Sequence, residues 1–118
     1  MSDALFSSQC EWVTEDKIQQ IFNESQFYEQ ARAGKLKQKV QGYDNHLSRK
    51  QRRKAGEPYC TRSQMVLYST LEGQPIALVH QYKRRDGSLG ASGKPDPKRL
   101  FISGKILAIR QGTNSKNP

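Results

Sequence analysis

Cysteine is scarce in this chain, and long apolar runs are missing. Only Cys10 and Cys60 occur in 118 residues. A small disulfide scaffold carries more, so the two thiols read as reduced. Combining them with His46 and His80 into a zinc centre fails, because no pair has ligand spacing. Nothing approaches about 18 consecutive apolar residues, so no membrane span is expected. Met1–Cys10 lacks a basic start and an apolar stretch, which excludes a signal-peptide pattern. The expectation is a soluble, intracellular, cytoplasmic protein with no membrane partner, no metal and no cofactor. No internal repeat is visible.

Acids are also few after residue 34. The first 34 residues hold six acids and two bases; residues 35–62 hold two acids and nine bases, and the remainder three and nine. The net charge is +9 and mean hydropathy is −0.88. Such a balance bears on partners and solubility rather than on fold. It points to nucleic acid, an anionic membrane surface or an acidic protein. Ten aromatic residues, spread from Phe6 to Phe101, argue for one modest core.

The chain divides into a flexible arm (1–12), one α+β domain (13–110) and a flexible polar tail (111–118). Thr14 reads as a helix N-cap, with Glu15 and Asp16 in the first turn and Val13 and Ile18 placed as a hydrophobic staple. Ile18, Ile21, Phe22, Ser25 and Tyr28 fall at helical spacing, and Gly34 is a natural stop. One amphipathic helix over 14–33 follows. Lys35–Lys39 suits a linker or short strand, and Tyr43-Asp44-Asn45 a turn.

The segment HLSRKQRRKAG, residues 46–56, poses the sharpest question. Ser48 and Gln51 fit a capping box; Gly56 and Pro58 fit a stop. A short helix over about 49–55 is therefore locally specified. Yet its like charges repel, and helices this short are marginal alone in water. Docking through Leu47 and Tyr59, or a polyanion, has to compensate.

Beyond Thr61 the pattern turns to strands. Gln64–Leu71 alternates, Ile76–Tyr82 is apolar on both faces, and Asp86-Gly87 marks a hairpin turn. Residues 88–97 read as a Gly/Pro/Ser-rich loop, and Leu100–Ile102 with Ile106–Ile109 as a final hairpin. The fold expected is two N-terminal helices, one amphipathic and one short and basic, followed by a small antiparallel sheet of three to five strands.

Known catalytic motifs fail when tested. The loop at Gly87, Gly90, Gly93 and Lys94 lacks a Walker pattern: Ser88 stands where the first Gly is needed and Pro95 where Ser or Thr would bind magnesium. Pro95-Asp96 with Lys105 has the outline of a PD-(D/E)xK nuclease, but Ser103 replaces the second acid. No residue set assigns catalysis. The candidates are His80, with Arg84 and Arg85 as charge stabilisers, and His46 as a second acid or base. A half-buried structural histidine is the competing account of His80.

The basic residues carry more. Arg49, Lys50, Arg52, Arg53, Lys54 and Arg62 form one group; Lys83, Arg84, Arg85, Lys94, Lys98 and Arg99 form another. Arginine suits bidentate phosphate contact, and Tyr43, Tyr59 and Tyr82 lie beside basic residues where they can stack on unpaired nucleobases. The function expected is a small nucleic-acid-binding domain, RNA or single-stranded DNA favoured, gripping the phosphate backbone. The alternatives are a toxin-like, metal-independent ribonuclease using His80, and an interaction module docking its basic face on an acidic protein.

Overall fold

In the computed structural model, Thr14 caps a helix as expected: its Oγ1 accepts from the Lys17 amide at 3.1 Å. The structure describes residues 10–109; the rest of the expected arm and the tail at 111–118 lie outside them. Chain order is β1 (Cys10–Val13), α1 (Glu15–Glu24), α2 (Phe27–Arg32), β2 (Lys37–His46), α3 (Arg49–Ala55), β3 (Arg62–Ser69), β4 (Pro75–Lys83), β5 (Asp96–Ile102) and β6 (Lys105–Ile109). The six strands form one sheet in the order β1-β6-β5-β4-β3-β2. Every pair is antiparallel except β1 with β6. The class is α+β, but the sheet is mixed and larger than the three to five antiparallel strands expected.

Three local corrections explain the difference. Cys10–Trp12, expected in the arm, pair with β6 as most of strand β1. The helix expected over 14–33 breaks at Gln26, which takes a left-handed φ of 57°. A continuous helix would turn Phe27 well away from the Phe22 stripe at 100° per residue. The break brings the Phe27 ring edge-on to Phe22, with centroids 6.1 Å apart. Tyr43-Asp44-Asn45 is not a turn but the far half of β2, which resumes after a bulge between Val40 and Asp44. Gly42, at φ 99°, occupies the bulge.

One face of the sheet carries the core. Val66, Tyr68, Ala77, Val79, Leu100 and Leu107 pack beneath Ile18, Phe22 and Ala31. Strand alternation puts Met65, Leu67, Leu78, His80 and Tyr82 on the opposite face, each only half-buried. Across that face Trp12 neighbours Ala108, which neighbours Arg99, then Leu78, Leu67 and Lys39. No described helix is long and apolar enough to cross a membrane.

Candidate nucleic-acid interface

Helix α3 lies in the connection between β2 and β3, closed at its base by the Leu47 amide donating to the Thr61 carbonyl at 3.0 Å. The capping box is complete: Ser48 Oγ accepts from the Gln51 amide at 3.1 Å, and Gln51 Oε1 accepts from the Ser48 amide at 2.8 Å. Gly56 ends the helix at φ 71°, and the Glu57 amide closes back on the Arg52 carbonyl. Leu47 is buried. Tyr59 is 71% exposed and meets the helix through the Arg52 guanidinium, which lies 5.1 Å from its ring centroid.

Glu57, the single acid amid this basic stretch, supplies the other anchor. Its carboxylate is almost fully buried. It accepts from Arg84 Nε at 2.9 Å, from the Ala91 amide at 2.8 Å and from Thr61 Oγ1 at 3.4 Å. The bond from Arg84 holds its pKa below the ordinary glutamate value, against the opposing effect of burial. Gly90 fits this clasp for steric reasons, because a Cβ there would collide with the Glu57 carboxylate. The clasp ties the end of α3 to the end of β4 and to the loop that follows it.

The expected basic residues therefore separate into two kinds. Arg49, Lys50, Arg53 and Lys54 are exposed and line one shallow groove along α3. Among the described residues no ion pair involves them. Arg52 turns inward and donates from Nη1 to the Leu47 carbonyl at 3.2 Å. Arg62 pairs with Asp44 at 2.7 Å, Arg84 with Glu57, and Lys98 with Asp96 at 3.0 Å. Lys83 lines a separate hollow with Tyr28 and Arg32. Arg85 and Lys94 are exposed on the connection between β4 and β5, and Arg99 on the open face.

Beside α3 the three long strands and the helix enclose a cleft of about 400 Å³. Tyr43, Asn45 and His46 come from β2, Ser63 from β3, His80 and Tyr82 from β4, and Leu47 and Gln51 from the helix side. Register explains the assembly, since Asn45 pairs with Ser63 and Ser63 with Tyr82. His80 is fixed there. Its Nε2 lies 2.7 Å from Ser63 Oγ, and its ring stands edge-on to Tyr82 at 5.0 Å between centroids. Burial, aided by Lys98 and opposed by Asp96, lowers its pKa from the ordinary histidine value, which favours the neutral ring. Ser63 Oγ also lies 3.4 Å from Tyr43 Oη.

The two candidate histidines thus line one cleft, while Arg84 is committed to Glu57 and Arg85 does not line it. Sequence reasoning named Tyr43 and Gln51 as possible base contacts but missed Asn45 and Ser63, and it did not place the four in one cleft. Only strand register reveals them. It also passed over Glu57, although a lone acid between Arg49 and Arg62 was a visible signal. No three His, Cys, Asp or Glu residues cluster as a metal site among the described residues. Comparison with family models, curated proteins and solved structures gives no match to this chain.

Proposed function

We propose that this domain binds nucleic acid through its phosphates, with α3 as the principal contact and single strands preferred over duplex. The observation that carries this reading is the outward set Arg49, Lys50, Arg53 and Lys54, mutually repulsive and with no ion-paired acid among the described residues. Like charges at i,i+4 destabilise the free helix, whereas a polyanion relieves them. The caps and the Glu57 clasp hold that face in place beforehand, so less order has to be gained on binding. The aromatic cleft alongside favours unpaired strands, which expose base faces that a duplex hides.

The test is binding of labelled single- and double-stranded RNA and DNA at two salt concentrations, by wild type and an Arg49→Gln, Lys50→Gln, Arg53→Gln variant. Gln keeps helix propensity close to that of Arg and Lys. The expected result is unchanged or slightly raised stability and weaker binding. The salt slope should shallow by roughly 0.7 per lost phosphate contact on single strands. Unchanged affinity together with an unchanged slope overturns the reading.

The shared cleft favours a second reading, a metal-independent ribonuclease. A neutral His80 has the protonation state of a general base, and His46 lines the same cleft. Labelled RNA incubated in chelator decides this. Cleavage lost in a folded His80→Ala variant supports it, and intact RNA with wild type removes it.

A further inference from the structure

We infer that the cleft between α3 and strands β2–β4 receives one unpaired nucleobase of a single strand whose phosphates lie on α3. The inference rests on the nucleic-acid reading above and names the form of ligand. Its volume of about 400 Å³ falls within the range of small-ligand sites. Its walls supply flat, weakly polar surfaces from Tyr43, Tyr82 and the His80 ring, the last two locked edge to face. Its polar groups include Asn45, Gln51 and Ser63, and among the described residues no Lys, Arg, Asp or Glu lines it. A neutral, planar, hydrogen-bonding group matches such a lining, whereas a phosphate or a carboxylate does not.

The fixed parts are already in place. Gln51 Oε1 is held by the Ser48 amide, which aims the side chain, and among the described hydrogen bonds its Nε2 has no partner and can donate to a base edge. Asn45 likewise makes no described side-chain hydrogen bond, and an amide offers paired donor and acceptor to a base edge. The cationic groove is lined by Arg49, Lys50, Arg53 and Lys54 of the same helix, which flank Gln51 in sequence and face another side of it. A helix with its side chains is about 10–12 Å across. A base in the cleft and the phosphates of its neighbours can therefore engage α3 together.

The experiment uses the full chain with a single-stranded oligonucleotide carrying 2-aminopurine, a matched duplex and a free mononucleotide as probes. Two variants, Tyr82→Leu and Tyr43→Ala, are first checked for folding by circular dichroism. Tyr43 is 44% exposed on an edge strand, so its variant keeps the test valid if Tyr82→Leu unfolds. The expected result is quenching of 2-aminopurine by wild type. Each folded variant should lose about tenfold in single-strand affinity, the scale of one stacked base, with salt slope and duplex affinity unchanged. Normal single-strand affinity in the variants, without quenching in wild type, overturns the cleft while leaving the phosphate reading intact. Equal affinity for the free mononucleotide and the oligonucleotide assigns the cleft to a soluble nucleotide and also overturns it. Failure of wild type to bind any oligonucleotide overturns the underlying reading itself.

Discussion

Glu57→Gln tests whether one buried carboxylate holds the basic helix to the sheet. The change keeps the side chain's shape and removes its charge. In the wild type, Oε1 accepts from Arg84 Nε and Thr61 Oγ1, and Oε2 from the Ala91 amide and Arg84 Nη2. An amide keeps one acceptor and turns an NH2 toward donors on the other side. Two donors lose their acceptor, and the bonds kept by the remaining oxygen weaken from about 1.5–3 kcal/mol toward about 0.5–1.5 as the carboxylate charge goes. Two effects offset this: a neutral group is cheaper to bury, and Arg84, about a third exposed, regains water. The net loss is about 2–3 kcal/mol. For a chain of this size that lowers Tm by roughly 8–12 °C.

The same pair gives a pH signature. The folded pKa of Glu57 is depressed below the ordinary glutamate value of 4.5. Its stabilisation is therefore fully present above that value and lost as pH falls through the folded pKa. The gap in Tm between wild type and Glu57→Gln should be wide at neutral pH and close under acid. Gly90→Ala supplies an independent strike on the same clasp, since its methyl collides with the carboxylate. Its Tm should fall comparably, and combining it with Glu57→Gln should give less than the sum. Thermal melts followed by circular dichroism measure all of this. A Tm change under about 2 °C for Glu57→Gln at neutral pH, where the charge is present, refutes the clasp.

Two further outcomes follow from the packing. Ser48→Ala removes the cap from a seven-residue helix and should cost about 1 kcal/mol in urea titration at unchanged m-value, with weaker oligonucleotide binding as α3 frays. Tyr68 is fully buried, and among the described residues its hydroxyl has no hydrogen-bond partner. Tyr68→Phe should be neutral or stabilising by about 1 kcal/mol, read as a higher urea midpoint, and a clear loss would mean that the hydroxyl is bonded in solution.

How far the sequence carried depends on whether each signal was local. Helix α3 was legible from Ser48, Gln51 and Gly56 because caps act within four residues. The interior strand β4 was legible because apolar residues stand on both its faces, one buried in the core and the other half-buried. Strands β1 and β2 were not, since almost every residue of each is exposed and neither shows an alternating apolar face. Asp44 reads as a turn former, yet its carboxylate is taken by Arg62 and Gln64 across the strand pair. The break at Gln26 has no Gly or Pro to announce it; tertiary packing of Phe27 decides it. The cleft was illegible for the same reason as β2. It depends on Asn45, Ser63 and Tyr82 falling in one cross-strand row, and the bulge at Gly42 sets that row.

A helix with five positive charges in seven residues needs anchors that do not depend on those charges, and which residues supply them bears on its use. Burying Leu47 contributes about 1.5–3 kcal/mol. The cap contributes about another kcal/mol. Arg52 is spent on the Leu47 carbonyl and the Tyr59 ring, and Glu57 fastens the far end. All of these anchors lie on the inner side of α3 or at its ends, and none uses Arg49, Lys50, Arg53 or Lys54. Among the described residues no acid of α1 pairs with any of those four, so their charge stays on the surface. Stability and exposed charge are thus carried by different residues. That separation lets the charges be removed without unfolding the domain, so a lost affinity can be read as a lost contact.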